Sequence, residues 1–125
     1  MSEPLLGVVV THSTIGAALV EAVAGITGTR EGLVAVSNEG CGLELLRARI
    51  NECGDLNRCV VFVDLPGGSC FTAAATLRRE YPGVAVVAGV NLPMLLDFVT
   101  HRDNDVATAV ERALTAGAKG IRVVP

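Results

Sequence analysis

Tryptophan is absent from this chain of 125 residues, tyrosine occurs once and phenylalanine three times. With 50% of residues hydrophobic, the core must be assembled from valine, alanine, leucine and isoleucine, which suits a β-branched sheet covered on both faces. Basic residues are also scarce: ten Lys and Arg against thirteen Asp and Glu give a net charge of −3 and an isoelectric point near 5.3. They form neither a stripe nor a run, so a nucleic-acid partner is not expected. Mean hydropathy is +0.51, yet no stretch approaches the roughly 20 uninterrupted apolar residues of a membrane span. Met1-Ser2-Glu3-Pro4 has no basic segment or cleavage site of a secretory leader, and the expected compartment is the cytoplasm. Cys41, Cys53, Cys59 and Cys70 contain no C-x-x-C pair, which favours free thiols over a disulfide framework and gives no signature of a structural zinc site.

What is present is an alternation. The length fits one domain, residues 1–125, able to bury a core without staples. Leu5 to Val10 is an apolar run of strand length that stops at Thr11-His12-Ser13-Thr14. Ile15, Ala18, Leu19, Ala22, Val23 and Ile26 recur at helical spacing, with Ser13 or Thr14 as N-cap and Gly28 as terminator. Leu33–Val36 reads as a second strand, and Leu43, Leu46, Ile50 and Cys53 mark the buried stripe of a second helix ending at Gly54. Cys59–Val63 is a third strand, broken by Asp64-Leu65-Pro66-Gly67-Gly68-Ser69 before a helix over about 70–81. Val84–Ala88 predicts a fourth strand, helices follow near 92–101 and 105–116, and Ile121–Val124 reads as a fifth strand. Strands alternating with helices predict an α/β fold with a doubly wound, mainly parallel sheet and helices on both faces.

In such sheets ligands bind outside the carboxyl ends of strands where the winding reverses, commonly between strands 1 and 3. His12 ends the first strand and Asp64 the third, so the two are predicted to face each other across one crevice. A carboxylate that holds one ring nitrogen fixes the tautomer and leaves the other as a nucleophile. Helices beginning just after His12 and Ser69 would aim free N–H groups at the three oxygens of a phosphoryl group, and Gly67 and Gly68 permit close backbone approach. The expected phosphoryl-binding residues are Ser13, Gly67, Gly68 and Ser69, with Ser69 also the cap of its helix. Phosphoryl transfer through an imidazole depends on positioning and charge stabilisation, so neither metal nor cofactor is expected. His101, before Arg102 and Asp103, reads as a structural partner of helix-terminal carbonyls. Asn91 with Pro93 reads as a helix start, and Cys70 as a small buried hydrophobe.

Three segments, Gly7-Val8-Val9-Val10-Thr11-His12, Val63-Asp64-Leu65-Pro66-Gly67-Gly68-Ser69 and Ala88-Gly89-Val90-Asn91-Leu92-Pro93-Met94-Leu95, occur in the order and spacing of a known family. Through them the chain resembles the enzyme IIA component of mannose-type sugar phosphotransferase systems over almost its whole length. The resemblance implies a phosphocarrier: the histidine matching His12 accepts a phosphoryl group from the phosphorylated protein HPr, assisted by the aspartate matching Asp64, and passes it to a IIB protein and then to sugar. It also implies a homodimer in which the final strand, here Ile121 to Val124, pairs with the other subunit's sheet, and contact with a membrane only through transporter components. The sequence departs from the usual pattern where Cys70 stands for a common proline, Pro66 for a large apolar residue and Ser13 for a frequent glycine. No fused IIB domain follows in the sequence, so a phosphorylation-dependent regulatory module is a second expectation. A hydrolase built on Ser69, His12 and Asp64 lacks the G-x-S-x-G elbow, since Phe71 occupies the last glycine position. The donor subunit of dihydroxyacetone kinase also presents a histidine after its first strand, but the Gly89–Leu95 motif fits the mannose type better. ATP as direct donor is disfavoured by the absence of both G-x-x-x-x-G-K-[ST] and G-x-G-x-x-G.

Overall fold

Period-two packing governs the centre of the molecule, because successive residues of a strand face opposite sides of the sheet. In the computed structural model, which describes residues 3–125, four parallel strands form one sheet in the order β2-β1-β3-β4: β1 is Leu6–Thr11, β2 Leu33–Ser37, β3 Cys59–Val63 and β4 Ala85–Ala88. β1 and β3 lie side by side at the centre, with Val9 opposite Phe62 and Val10 opposite Val63. Val8 and Val10 of β1 join Val61 and Val63 of β3 on one face, where Leu46 and Ile50 of helix α2 (Leu43–Asn51) and Ala73, Ala74 and Leu77 of α3 (Gly68–Glu80) cover them. Val9, Val60 and Phe62 point the other way. They are covered by Val23 of α1 (Ile15–Thr27), by Met94, Leu95 and Phe98 of α4 (Leu92–Val99), and by Ala109 and Ala113 of α5 (Val106–Lys119).

This is the expected doubly wound α/β sheet, and the near-continuous apolar strands reflect burial on both faces. The scarcity of aromatics is compensated locally. Phe62 and Phe98 meet edge to face with ring centroids 5.2 Å apart, a favourable quadrupole geometry. Gly7 makes room for them, since a Cβ there would sit 2.7 Å from Leu33 and 2.8 Å from Phe98. The helix boundaries obey local chemistry. Gly28 closes α1 in the left-handed region at φ 82°. Asn91 caps α4 by accepting from the Met94 amide at 3.0 Å, and its amide nitrogen donates to the Gly117 carbonyl at 3.0 Å, tying α4 to α5.

Two expectations are corrected. Ile121–Val124 forms no strand: Ile121, Val123 and Val124 are 78%, 91% and 84% exposed. β-branched composition makes a strand only where a neighbouring backbone completes the ladder. Leu43 stands exposed rather than in the buried stripe of α2, which rests on Leu46 and Ile50. A 3₁₀ turn over Leu56–Arg58, opened by the Asp55 carboxylate accepting from the Asn57 amide, had no counterpart in the sequence reading. Among the described residues no helix is long and apolar enough to cross a membrane.

Candidate functional site

With β1 and β3 adjacent and the chain running outward to β2 and β4, the winding reverses between the two central strands, where open α/β sheets hold their ligands. β1 ends at Thr11 and β3 at Val63, so the next residues, His12 and Asp64, stand together at the mouth of that crevice. One carboxylate oxygen of Asp64, Oδ2, accepts from both the backbone amide of His12 and the ring at Nδ1, each at 2.9 Å. The same oxygen thereby fixes the loop and the imidazole, and the bond to Nδ1 places its hydrogen there and frees the Nε2 lone pair. The His12 side chain is 39% exposed and that of Asp64 12%, so the ring is open to a reaction partner while its orienting group is sheltered. Burial alone would raise the Asp64 carboxyl, but the hydrogen bonds from the His12 amide and ring outweigh it and hold the carboxyl below its ordinary value.

Gly68 supplies the wall beside the free nitrogen. Its φ is 86°, a left-handed conformation that favours glycine, and a Cβ there would come 3.5 Å from Cε1 and 3.6 Å from Nε2 of His12. The backbone at the start of α3 is therefore the surface nearest the reactive edge of the ring. Gly67 is the N-cap of this helix in extended conformation, and no side chain caps it, leaving first-turn amides with the usual unpaired donors of a helix start. Ser69, read from sequence as the cap, lies instead inside the first turn, because the left-handed step at Gly68 starts the helix earlier. Its hydroxyl accepts from the Asn38 amide at 3.2 Å, not from His12, which separates it from the arrangement that the hydrolase reading requires.

The start of α1 contributes less than expected. Thr11, fully buried, accepts from the Gly16 amide through its hydroxyl at 2.7 Å, which occupies one donor of that helix start. Thr14 is the N-cap but makes no side-chain cap bond. Ser13 adopts φ 52°, the single non-glycine residue with positive φ among those described, and its amide donates to Asn38 Oδ1 at 3.2 Å. Asn38 was missed in the sequence. It bridges the loops after β1 and β3 from the loop after β2, and its own amide donates to the Thr11 carbonyl at 3.1 Å. The available signal was its position directly after strand 2, beside the carboxyl end of strand 1. Cys70, also assigned no role, lies with Sγ 4.0 Å from His12 Nδ1. Burial, and then the charge of Asp64, push its thiol above the ordinary range. His101 behaves as expected, its Nδ1 lying 2.8 Å from the Asp97 carbonyl near the end of α4.

Fold and site together define an α/β protein that presents one oriented imidazole nitrogen at a sheet switch point. Residues 7–114 match the family described as PTS system fructose IIA component, and the chain belongs to that family, the mannose- and fructose-type enzyme IIA components of the sugar phosphotransferase system, as its three motifs led us to expect. It is 38% identical over 78 residues to the mannose-specific EIIAB component of Escherichia coli strain K12, covering 57% of this chain and 24% of that protein; the chain thus spans about a quarter of that relative. It is 30% identical over 98 residues to the fructose-specific EIIA component of Bacillus subtilis strain 168, covering 74% of this chain and 67% of that one. Among solved structures, the phosphotransferase system component EIIA from Streptococcus agalactiae is similar with a TM-score of 0.87 at 26% identity, over 95% of this chain and 96% of that one. The mannose/sorbose specific IIA subunit from Enterococcus faecalis shares the fold with a TM-score of 0.82 at 21% identity, over 98% and 96%.

Proposed function

We propose that this enzyme IIA component carries a phosphoryl group on Nε2 of His12, with Asp64 as the orienting carboxylate, and that residues 1–125 act as one carrier domain. The observation that supports it most is the 2.9 Å contact of Asp64 Oδ2 with Nδ1 on a ring whose other edge is open. In the transfer, the P–N bond of the donor's phosphohistidine breaks as the lone pair of Nε2 forms a new P–N bond. The positive charge that develops on the His12 ring is met by the Asp64 carboxylate. Backbone amides at Gly68 and Ser69 receive the phosphoryl oxygens at the positive end of α3, with Gly67 and the Ser13 hydroxyl at the rim. The reaction needs no cofactor, since an imidazole serves as both acceptor and leaving group.

The partners in this reading are phosphorylated HPr as donor and a IIB protein as acceptor, both reached in the cytoplasm, and membership of the enzyme IIA family supports them. The exposed apolar segment Ile121–Val124 pairs with the sheet of a second copy, which gives its unpaired backbone groups a ladder and makes the working form a homodimer. The test is intact-mass spectrometry at neutral to alkaline pH after incubation with phosphoenolpyruvate, enzyme I and cognate HPr. One added phosphoryl group in the wild type and none in His12→Ala is the expected result. No addition to folded wild type with its cognate HPr would end the carrier reading.

A further inference from the structure

Three metal-donor side chains, from the loops after β1 and β3 and from the first turn of α3, converge on one edge of the crevice. Nδ1 of His12, the carboxylate of Asp64 and Sγ of Cys70 lie within 4.8 Å of one another, with Nδ1 2.9 Å from Oδ2 and 4.0 Å from Sγ. A tetrahedral zinc ion with bonds of about 2.0–2.3 Å sets its ligand atoms roughly 3.3–3.8 Å apart. The N–O pair therefore opens and the S–N pair closes by roughly half an ångström, and the carboxylate–Sγ pair, within 4.8 Å, closes by up to about 1 Å, which side-chain rotations at Asp64 and Cys70 supply. Asp64 Oδ1 is buried and has no hydrogen-bond partner among the described residues, a costly arrangement for a carboxylate oxygen that a cation would relieve. Thiolate and imidazole donors together select zinc-class ions over magnesium or calcium.

We propose that His12, Asp64 and Cys70 form a binding site for a zinc-class divalent cation, and that its occupancy blocks phosphoryl uptake at His12. The first clause stands on the geometry; the second rests on the phosphocarrier reading above. Binding releases the thiol proton of Cys70 to solvent, and the single ring proton moves through solvent from Nδ1 to Nε2 as the metal takes the Nδ1 lone pair. A neutral imidazole whose Nδ1 is bound to metal carries its one proton on Nε2, so the nitrogen that would attack phosphorus has no lone pair to offer. A cysteine that does not take part in transfer thereby acquires a reason to lie beside the histidine.

Cobalt(II) titration of the full chain tests the site independently of phosphorylation. Wild type should develop tetrahedral ligand-field bands and a thiolate-to-cobalt charge-transfer band at one equivalent. Binding should weaken at least tenfold in both Cys70→Ala and His12→Gln and persist in Cys41→Ser, with circular dichroism confirming that each variant is folded. Absence of the charge-transfer band in wild type, or its persistence in Cys70→Ala, would overturn the site. Phosphate uptake from purified phospho-HPr is then measured with and without zinc, each variant against its own zinc-free rate. At least tenfold slowing in wild type and little in Cys70→Ala is expected. Equal slowing in both would overturn the block while the cobalt result still decides the site. Failure of zinc-free wild type to take phosphate at all would remove the carrier reading and the block, and leave the cation site to its own spectra.

Discussion

Replacing Asp64 by alanine probes the contact on which the carrier reading depends. The side chain accepts two hydrogen bonds through one oxygen, from the amide and from the ring of His12, both at 2.9 Å. Hydrogen bonds to a charged group contribute about 1.5–3 kcal/mol each. The bond to the ring bears on transfer, because it fixes the tautomer and meets the charge that grows as phosphorus is bound. At 1.36 kcal/mol per decade, its loss predicts phosphate uptake slowed roughly 10- to 150-fold. Asp64→Asn retains one acceptor without the charge and should fall between wild type and alanine. The assay is a rapid-quench time course with phospho-HPr as donor, read by intact mass, with phosphorus NMR of the denatured product to locate the phosphate. Wild type should carry it on Nε2, and Asp64→Ala should yield a mixture of ring isomers. A rate for Asp64→Ala within twofold of wild type, or phosphate on Nδ1 of wild type, would refute the reasoning.

Three further outcomes follow from other parts of the molecule. The Asp64 carboxyl is held below its ordinary value of 3.8, so its stabilisation is complete above that value and is lost as pH falls through the lower folded one; the gap between the urea midpoints of wild type and Asp64→Asn at pH 6 should begin to narrow as pH falls through 3.8 and close below the folded value, and a constant gap would contradict this. Gly7→Ala would set a Cβ 2.7 Å from Leu33 and 2.8 Å from Phe98, an overpacking worth about 1–3 kcal/mol; thermal unfolding should shift down by several degrees, and an unchanged midpoint would show that the Phe62–Phe98 pair yields easily. Deleting residues 121–125 removes the exposed Ile121, Val123 and Val124 and should convert a dimer to a folded monomer by native mass spectrometry, whereas a dimer that survives the deletion places the interface elsewhere.

The sequence disclosed the strands and the central pair because burial on both faces leaves an unmistakable apolar run, and each run ends where a polar residue must meet solvent. His12 and Asp64 were legible for that reason: topology alone carries two such ends to the same crevice. Asn38 was not, since its importance comes from hydrogen bonds to Ser13 and Ser69, and an asparagine after a strand is ordinary turn chemistry. The start of α3 was misjudged by two residues because a glycine in the left-handed region can open a helix without a side-chain cap. The final strand was read from β-branched residues, a propensity that needs a partner backbone which this chain alone does not offer there. The nearness of Cys70 to His12 is a helix-phase effect: Cys70 is the third residue of α3 and turns inward to the face that also holds Val63.

The double use of Asp64 Oδ2 has a mechanical side. The loop after β3 holds the backbone and ring of His12; the next residue, Ser13, is held by Asn38 from the loop after β2; and Asn38 reaches on to Ser69, back on the chain that began at Asp64. These bonds close a circuit through three loops, in which a change at any member alters the polarisation and geometry of the others. A group added to the ring would pull on Asp64, and through it on the amide of His12, the constrained turn at Ser13 and the exposed rim at Ser69. A protein resting on that rim could sense whether the histidine is loaded without touching the histidine itself.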